Sequence, residues 1–297
     1  MFDRIFANYL VESGKLTEQN LKTIFSSQEE KRVRLGVIAV SEKLMTIEQV
    51  EEVNKLQSMC DKRFGDIAVE KGYLTDEQIN RLLQLQGNAL LAFIQSTVDG
   101  GYMSMETIDA ELLNFQKVNN YTLMNMEDLK SCDIDRIVPI YVYEQPELLQ
   151  ELCGVMVRSV NRLVDYHISI KKPYCITKYS FDQFCMQELR GAHSILTTLS
   201  GSVKAMKHAA IGFAGERYIE NDEDALDALS EFINCVNGLF ATELSKRDIS
   251  VDMEIPYYQT TPGEINADVL LCLPIIISGN EMNLVAALDQ TYTLKKE

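Results

Sequence analysis

The chain has 297 residues, of which 46% are hydrophobic and 24% charged, and its formal net charge is −16. This apolar fraction is typical of a globular protein and excludes a largely disordered chain. The longest uninterrupted apolar run covers only residues 269–277, whereas a membrane-spanning helix needs ~20 residues. The seven cysteines have no Cys-x-x-Cys spacing, the histidines have no ligand spacing, and no apolar secretory segment follows Met1. These features predict a cytoplasmic protein with neither a disulfide framework nor a metal site.

The negative charge is concentrated in the larger, C-terminal part of the chain. Residues 1–90 contain 12 Lys+Arg and 14 Asp+Glu, a net of −2, and the other 207 residues contain 16 and 30, a net of −14. A body this acidic repels phosphate backbones, so the composition argues against nucleic-acid binding. The nearly neutral first part can still meet an anionic ligand.

The first 90 residues contain a threefold repeat with a period of 29 residues. Thr17, Thr46 and Thr75 each follow an apolar residue and open an acidic stretch that contains glutamine. Each threonine is typical of a helix N-cap, and Gln49 and Gln78 stand where the partner of a capping box reaches back. Apolar residues at helical spacing follow each threonine. The repeat therefore predicts an all-helical domain over residues 1–90, built of three stacked helical hairpins.

Two of the repeats carry an Arg-apolar-Gly triplet at matching positions. The triplets are Arg34, Leu35 and Gly36 in the second repeat and Arg63, Phe64 and Gly65 in the third. Residues 34–57 and 63–86 resemble the motif of the N-terminal domain of GspE/MshE-type secretion and pilus ATPases, with Lys43 in place of one motif glycine. The resemblance implies a cyclic di-GMP site formed by the two triplets. In the alternative interpretation the arginines cap a preceding turn, Leu35 and Phe64 staple the hairpins, and the repeats dock a protein.

The rest of the chain divides into a connector and a mixed domain. Residues 91–144 show no motif and no strong periodicity and are predicted to be a helical connector. From residue 145 onward, helices over 148–164 and 224–245 alternate with strand-like runs, including 249–258 and 268–278. This pattern predicts a domain over 145–297 with an antiparallel sheet covered by long helices on one face. The fold class is therefore α+β, with helical hairpin repeats first and the sheet second.

The predicted helix 224–245 carries the residues that point to chemistry. Asp227, Glu231, Asn234 and Gly238 lie at offsets of 0, 4, 7 and 11, which is one line along a helix. A carboxylate and a carboxamide therefore project side by side from a rigid element. Gly238, one turn further on, leaves space for the backbone of a partner.

This pattern resembles a known family. The spacing Asp227-x3-Glu231-x2-Asn234, followed after 21 residues by Pro256, is similar to the signature of the CheC/CheX/FliY phosphatases of bacterial chemotaxis. The resemblance covers residues 145–290 and implies a CheX-like fold. CheC-like members carry two such helices. The other candidate helix, 148–164, has Glu151 but Gly154 where the second asparagine would be, so the chain resembles the single-site CheX type.

The resemblance implies that the substrate is a CheY-like receiver domain that carries an aspartyl phosphate. The receiver supplies its own Mg²⁺, and this chain needs no cofactor of its own. Glu231 would pair with a lysine of the receiver, and Asn234 would hold the attacking water. Asp227, Gly238 and Pro256 would contact the partner. CheX-like domains often pair through their sheets, and the apolar runs 269–277 and 193–199 agree with a homodimer. The alternative is a signalling scaffold that binds receivers without hydrolysis, or an adaptor that responds to cyclic di-GMP.

Overall fold

The computed structural model describes residues 1–28, 33–57 and 63–296, and the chain forms two compact units, residues 2–132 and residues 133 onward. The predicted connector 91–144 is divided between these units, since the cut falls at residue 132. The domain boundaries at 90 and 144 stay predictions. Among the described residues no helix is both long and apolar enough to cross a membrane.

The first unit is all-helical. Its helices are α1 (Phe2–Glu12), α2 (Glu18–Gln28), α3 (Leu35–Ser41), α4 (Ile47–Gln57), α5 (Phe64–Glu70), α6 (Asp76–Gln84), α7 (Ala89–Asp99), α8 (Met105–Val118) and α9 (Leu123–Lys130). The first six form three helix–turn–helix repeats in the predicted phase. In each repeat, a threonine hydroxyl accepts from the backbone N–H three residues on, and that residue's side chain accepts from the threonine N–H. The pairs are Thr17 with Asn20, Thr46 with Gln49, and Thr75 with Gln78.

The turn inside each repeat depends on one left-handed residue. Gly14, Lys43 and Gly72 follow the first helices at the repeat period, with φ of 70°, 57° and 71°. Glycine adopts this conformation without a steric cost, and lysine does not. The lysine that departs from the motif therefore occupies the same backbone conformation as the glycines.

The repeats also pack on one another through Gly36. A Cβ atom at this position would meet Val50 Cγ1 at 2.7 Å and the ring of Phe64 at 3.2 Å. The second repeat thus accepts the aromatic side chain of the third only because residue 36 has no side chain. This close approach gives the Arg-apolar-Gly triplets a role in packing.

The second unit contains an antiparallel sheet and four helices. The elements are α10 (Ile134–Val142), α11 (Glu147–Leu163), β1 (Ile168–Ile170), β2 (Tyr174–Phe181), β3 (Phe184–Gly191), β4 (Ile195–Gly201), α12 (Val203–Ala214), α13 (Asp222–Ser245), β5 (Val251–Met253), β6 (Tyr257–Gln259), β7 (Gly263–Ile277), β8 (Asn280–Leu288) and β9 (Tyr292–Lys296). The main path of the sheet is β1-β7-β8-β4-β3-β5, with β2 and β9 paired to β7, and β6 paired to β3. The predicted α+β class with an antiparallel sheet is confirmed.

Both faces of the central strands are covered by this chain itself. Helices α11, α12 and α13 pack on one face. On the other face, Phe184, Met186, Leu196 and Val285 form a second core with residues of β2, the first half of β7 and β9. The long strand β7 makes this possible, because it pairs with β8 through its second half and with β9 through its first half. The apolar character of β4 and β7 is therefore explained within a single chain, and the homodimer stays a prediction.

Several strand boundaries differ from those expected. The run 249–258 forms two strands, β5 and β6, with a break at 254–256, and β7 begins at Gly263, five residues before the expected start. Strand β9 has no counterpart among the predicted elements. Its pairing with β7 is a long-range interaction that leaves no periodic signal in a segment of only five residues.

Candidate functional site

The site is built on α13, whose start is set by a reciprocal cap. The Asn221 side chain accepts from the backbone N–H of Asp224, and the Asp224 carboxylate accepts from the N–H of Asn221. Three acidic residues in the first turn suit the positive end of the helix dipole. The inward stripe includes the fully buried Leu229, Ile233 and Phe240, which fix the rotation of the helix. Leu239 directly precedes Phe240 but is 43% exposed, so it lies outside this stripe.

The four predicted residues lie along the outer side of this helix. Asp227 and Glu231 are exposed, and Asn234 and Gly238 are partly buried. Neither carboxylate has a hydrogen-bond or ion-pair partner within the described part of the chain. A Cβ atom on Gly238 would lie 3.8 Å from the methyl group of Met253, which is an ordinary van der Waals contact, so the packing of β5 does not require glycine here. The helix therefore presents two unpaired carboxylates and one carboxamide.

The carboxamide of Asn234 is held from the protein side. Gln187 on β3 donates through Nε2 to Asn234 Oδ1 at 2.9 Å. Asn237 donates through Nδ2 to Gln187 Oε1 at 2.9 Å, and its own Oδ1 accepts from the hydroxyl of Thr197 at 3.0 Å. Gln187 is 2% exposed, and Asn237 and Thr197 are fully buried. The Asn234 side chain is thus the outer end of a buried hydrogen-bond network.

Pro256 enters the site through a β-bulge. Leu189 pairs with Met253, but Met186 pairs with Tyr257, so one extra residue lies opposite β3 between these two registers. Pro256 lies in this bulge and has no N–H to offer the ladder. The backbone carbonyl of Glu254, in the same bulge, accepts instead from Gln187 Nε2 at 2.8 Å. The bulge that contains Pro256 is therefore linked to Asn234 through the side chain of Gln187.

Exposed apolar side chains lie near this network. Ile255, in the bulge, is 89% exposed, and Met253 and Leu239, which neighbour Gly238, are each 43% exposed. Large apolar groups exposed together around polar groups are typical of surfaces that bind other proteins. A small substrate would not need this surface.

The helix α11 offers no second site of the same kind. Glu151 is bound by the guanidinium of Arg247 through both of its carboxylate oxygens. Gly154 stands beside Arg158, whose Nη1 donates to Asp135 at 2.7 Å. The Glu151 carboxylate is committed to an ion pair within the unit, and Gly154, three residues after it, has no carboxamide.

In the first unit the Arg34 side chain is already engaged. Its guanidinium binds Asp99 through Nη2, and its Nε donates to Gln95 Oε1 at 3.2 Å. Arg63 is exposed. The turns that precede Arg34 and Arg63 lie outside the described residues, so the capping of a preceding turn stays a prediction. Leu35 and Phe64 are half-buried, and a Cβ on Gly65 would meet Ile79 at 3.3 Å. The cyclic di-GMP site stays a prediction.

Sequence reasoning missed Gln187, although its signal was present. The residue lies in the run 184–189, in which Phe184, Cys185, Met186 and Leu189 are apolar, a composition typical of a strand. A glutamine at a buried position of such a strand needs partners for its amide, since an unpaired buried amide is costly. The partners lie 47 and 50 residues further along the chain, so the sequence does not show which residues they are.

One protein family matches the region of the chain that contains this site. Residues 184–269, from β3 into β7, match the model of the family chemotaxis phosphatase CheX, and they contain the whole α13 site. The comparison with curated proteins finds no relative of this chain.

Several solved structures match about half of this chain, at low sequence identity and low TM-score. The chemotaxis protein CheX of Desulfovibrio desulfuricans is 12% identical, with a TM-score of 0.43, and the match covers 48% of this chain and 99% of that one. The CheX protein of Vibrio vulnificus is 14% identical, with a TM-score of 0.40 and coverages of 48% and 99%. A CheX-CheY-BeF3-Mg²⁺ complex from Borrelia burgdorferi gives 14% identity, a TM-score of 0.39, and coverages of 51% and 100%.

Proposed function

We propose that this protein is a phosphatase that hydrolyses the aspartyl phosphate of a response-regulator receiver domain. The observation that carries the proposal is the carboxamide of Asn234, held in place by Gln187, one turn from the exposed carboxylate of Glu231. Both residues lie in the region that matches the CheX family model. The exposed apolar residues around them support a protein substrate.

The proposed reaction needs no covalent intermediate on this chain. A water oxygen attacks the phosphorus atom, the bond from phosphorus to the receiver's aspartate oxygen breaks, and inorganic phosphate and a free carboxylate result. Asn234 orients the water and the phosphoryl group, because a carboxamide can donate and accept hydrogen bonds without titrating. Such positioning is the main contribution that a protein makes to phosphoryl transfer. The receiver brings its own Mg²⁺, so the metal belongs to the substrate.

Glu231 has a different role in this proposal. Its carboxylate pairs with a lysine beside the phosphorylated aspartate and so sets the register of docking. Asp227, Gly238 and Pro256 complete the contact surface on the same side of the molecule. The helical repeats of the first unit then serve as a docking or regulatory module.

The experiment that tests the function compares the wild type with Asn234→Ala. We expect Asn234→Ala to lower the rate of phosphate release from a phosphorylated receiver by at least about 100-fold, because the positioning group is lost. Circular dichroism should show the same helix content in both proteins, since the Asn234 side chain is not part of the core. Asn54→Ala, which removes an exposed carboxamide from α4, is the matched control and should keep the wild-type rate.

The same experiment distinguishes the scaffold alternative. A scaffold would bind the phosphorylated receiver, and its wild type and Asn234→Ala variant would leave the lifetime of the phosphate unchanged. Equal lifetimes with and without the protein would contradict the phosphatase.

A further inference from the structure

We infer that Gln187 is a positioning residue that fixes which side of the Asn234 carboxamide faces the receiver. This inference deepens the proposed function and rests on it. The amide oxygen of Asn234 faces the protein, and its N–H groups face the substrate. The bulge at Pro256 contributes to this orientation, since the backbone carbonyl of Glu254 in the bulge orients Gln187.

The orientation follows from one atom that can only accept. The backbone carbonyl oxygen of Glu254 lies 2.8 Å from the end of the Gln187 side chain, so the atom that meets it must be the donor Nε2. The second hydrogen on the same nitrogen points to Asn234 at 2.9 Å. The atom of Asn234 at that point must therefore accept, which identifies it as Oδ1. Nδ2 is then left on the outer side of the carboxamide.

The buried end of the network agrees with this assignment. Gln187 Oε1 needs a donor, and Asn237 provides one through Nδ2 at 2.9 Å. The remaining oxygen of Asn237 then accepts from the Thr197 hydroxyl at 3.0 Å. In each of these four hydrogen bonds a donor meets an acceptor, and the three supporting residues are buried. The network has one orientation, because turning over any of its amides would place two donors or two acceptors together.

The consequence for catalysis is preorganisation. A carboxamide on an exposed helix turn would rotate and turn over freely, since its oxygen and nitrogen ends have nearly the same shape. The bond from Gln187 removes this freedom before the receiver arrives. The outward N–H groups then donate to the attacking water or to a phosphoryl oxygen, and the energetic cost of ordering them is met in the free protein.

The test uses the full-length protein with Gln187→Met and Gln187→Glu. Methionine keeps the length of the side chain and removes both donors, whereas glutamate keeps an acceptor for Asn237 and offers no donor to Asn234 when ionised. We expect either variant to lower kcat for phosphate release by about 10- to 100-fold. The affinity for a receiver activated with beryllofluoride should stay within about twofold of the wild type, because Glu231 and the apolar surface are unchanged. Gln183→Met is the matched control, since Gln183 is also 2% exposed and has no contact with Asn234.

A second measurement does not depend on activity. In NMR spectra of the wild type, the side-chain amide protons of Gln187 should exchange with water slowly, and Asn234→Ala should speed the exchange of one of them. An unchanged exchange rate in Asn234→Ala, or a loss of kcat in Gln187→Met no larger than in Gln183→Met, would overturn the inference. Protected Gln187 protons in a wild type without phosphatase activity would instead contradict only the proposed function. If Gln187→Met does not fold, the exchange measurement on the wild type and Asn234→Ala decides.

Discussion

Glu231 and Asn234 lie one turn apart on α13, but only Asn234 is held by the rest of the protein. Asn234 Oδ1 accepts from Gln187, whereas the Glu231 carboxylate is exposed and has no partner among the residues that the structure describes. A held group suits a chemical step that requires fixed geometry, and an unpaired exposed charge suits recognition of an opposite charge. The two residues should therefore affect different kinetic constants.

We predict that Glu231→Gln weakens receiver binding and leaves the chemical step largely intact. The change removes a charge and keeps the shape of the side chain. We expect KM to rise about tenfold, which corresponds to about 1.4 kcal/mol, with kcat within about threefold of the wild type. The dependence of kcat/KM on salt should also become shallower, because an ion pair no longer steers the encounter.

The matched control for this prediction is Glu243→Gln. It removes the same charge from the same helix, where Glu243 pairs with Lys246 at 2.6 Å. Exposed pairs of this kind contribute about 0–1 kcal/mol, so the kinetic constants should not change. A larger effect on kcat than on KM in Glu231→Gln would show that Glu231 acts in the chemical step instead.

Helix α13 and its polar line could be predicted from sequence because their signals are local. The Asn221 cap, the acidic first turn and the apolar spacing lie within one segment, and the predicted range 224–245 differs from Asp222–Ser245 by two residues at its start. The same holds for the threonine caps of the repeats. The exposure of Leu239 was not predictable, because helical periodicity alone does not show how wide the buried stripe is.

The supporting parts of the site could not be predicted because they depend on long-range pairing. Gln187 meets Asn234 only when β3 lies beneath α13. The bulge at 254–256 is visible only when the two registers on β3 are known. A continuous strand over 249–258 would have closed the ladder, and the Glu254 carbonyl would not have been free to orient Gln187.

We predict that thiol labelling maps the docking surface around α13. Cys235 is exposed and lies one turn after Glu231, whereas Cys153 is buried, and burial raises the pKa of its thiol to about 12. Only the thiolate reacts, so at about pH 8 an alkylating reagent should modify Cys235 and leave Cys153 unmodified in the folded protein. A bound receiver activated with beryllofluoride should slow labelling of Cys235 by at least about tenfold.

The internal reference for this measurement is Cys175 on β2, which is also exposed. Peptide mass spectrometry reports each cysteine separately, so the rate at Cys175 should stay constant while the rate at Cys235 falls. Protection of Cys175 with full labelling of Cys235 would place the receiver on a different surface.

We predict that Lys43→Gly stabilises the first unit. Lys43 has a φ of 57°, in the left-handed region where a side chain on Cα costs about 1–2 kcal/mol, and the equivalent residues of the other repeats are glycines. The greater freedom of glycine in the unfolded chain offsets part of this gain, which leaves an increase of about 0.5–1 kcal/mol in the free energy of unfolding. Urea denaturation measures this change in the free energy of unfolding. Lys22→Gly, an exposed change inside α2, should instead lower the free energy of unfolding by about 1 kcal/mol.

The last prediction concerns the first unit as a nucleotide sensor. Arg34 would contact a phosphate of cyclic di-GMP, but its guanidinium already binds Asp99 and Gln95. A nucleotide would have to displace a carboxylate and then lie beside its negative charge, which opposes binding. We therefore expect no saturable heat when the full-length protein is titrated with cyclic di-GMP at about 50 µM, a concentration that would reveal a Kd near 1 µM.

Three variants make this titration decisive. Asp99→Asn removes the competing charge. If the repeats contain a nucleotide site, this variant should therefore bind cyclic di-GMP more tightly than the wild type does. Arg34→Ala and Arg63→Ala should then abolish the heat. Saturable binding by the wild type that is lost in both arginine variants would contradict the prediction and identify the repeats as a cyclic di-GMP module. The absence of heat from the wild type and from Asp99→Asn leaves protein docking as the role of the repeats, because the packing of Gly36 against Phe64 accounts for the triplets without a ligand.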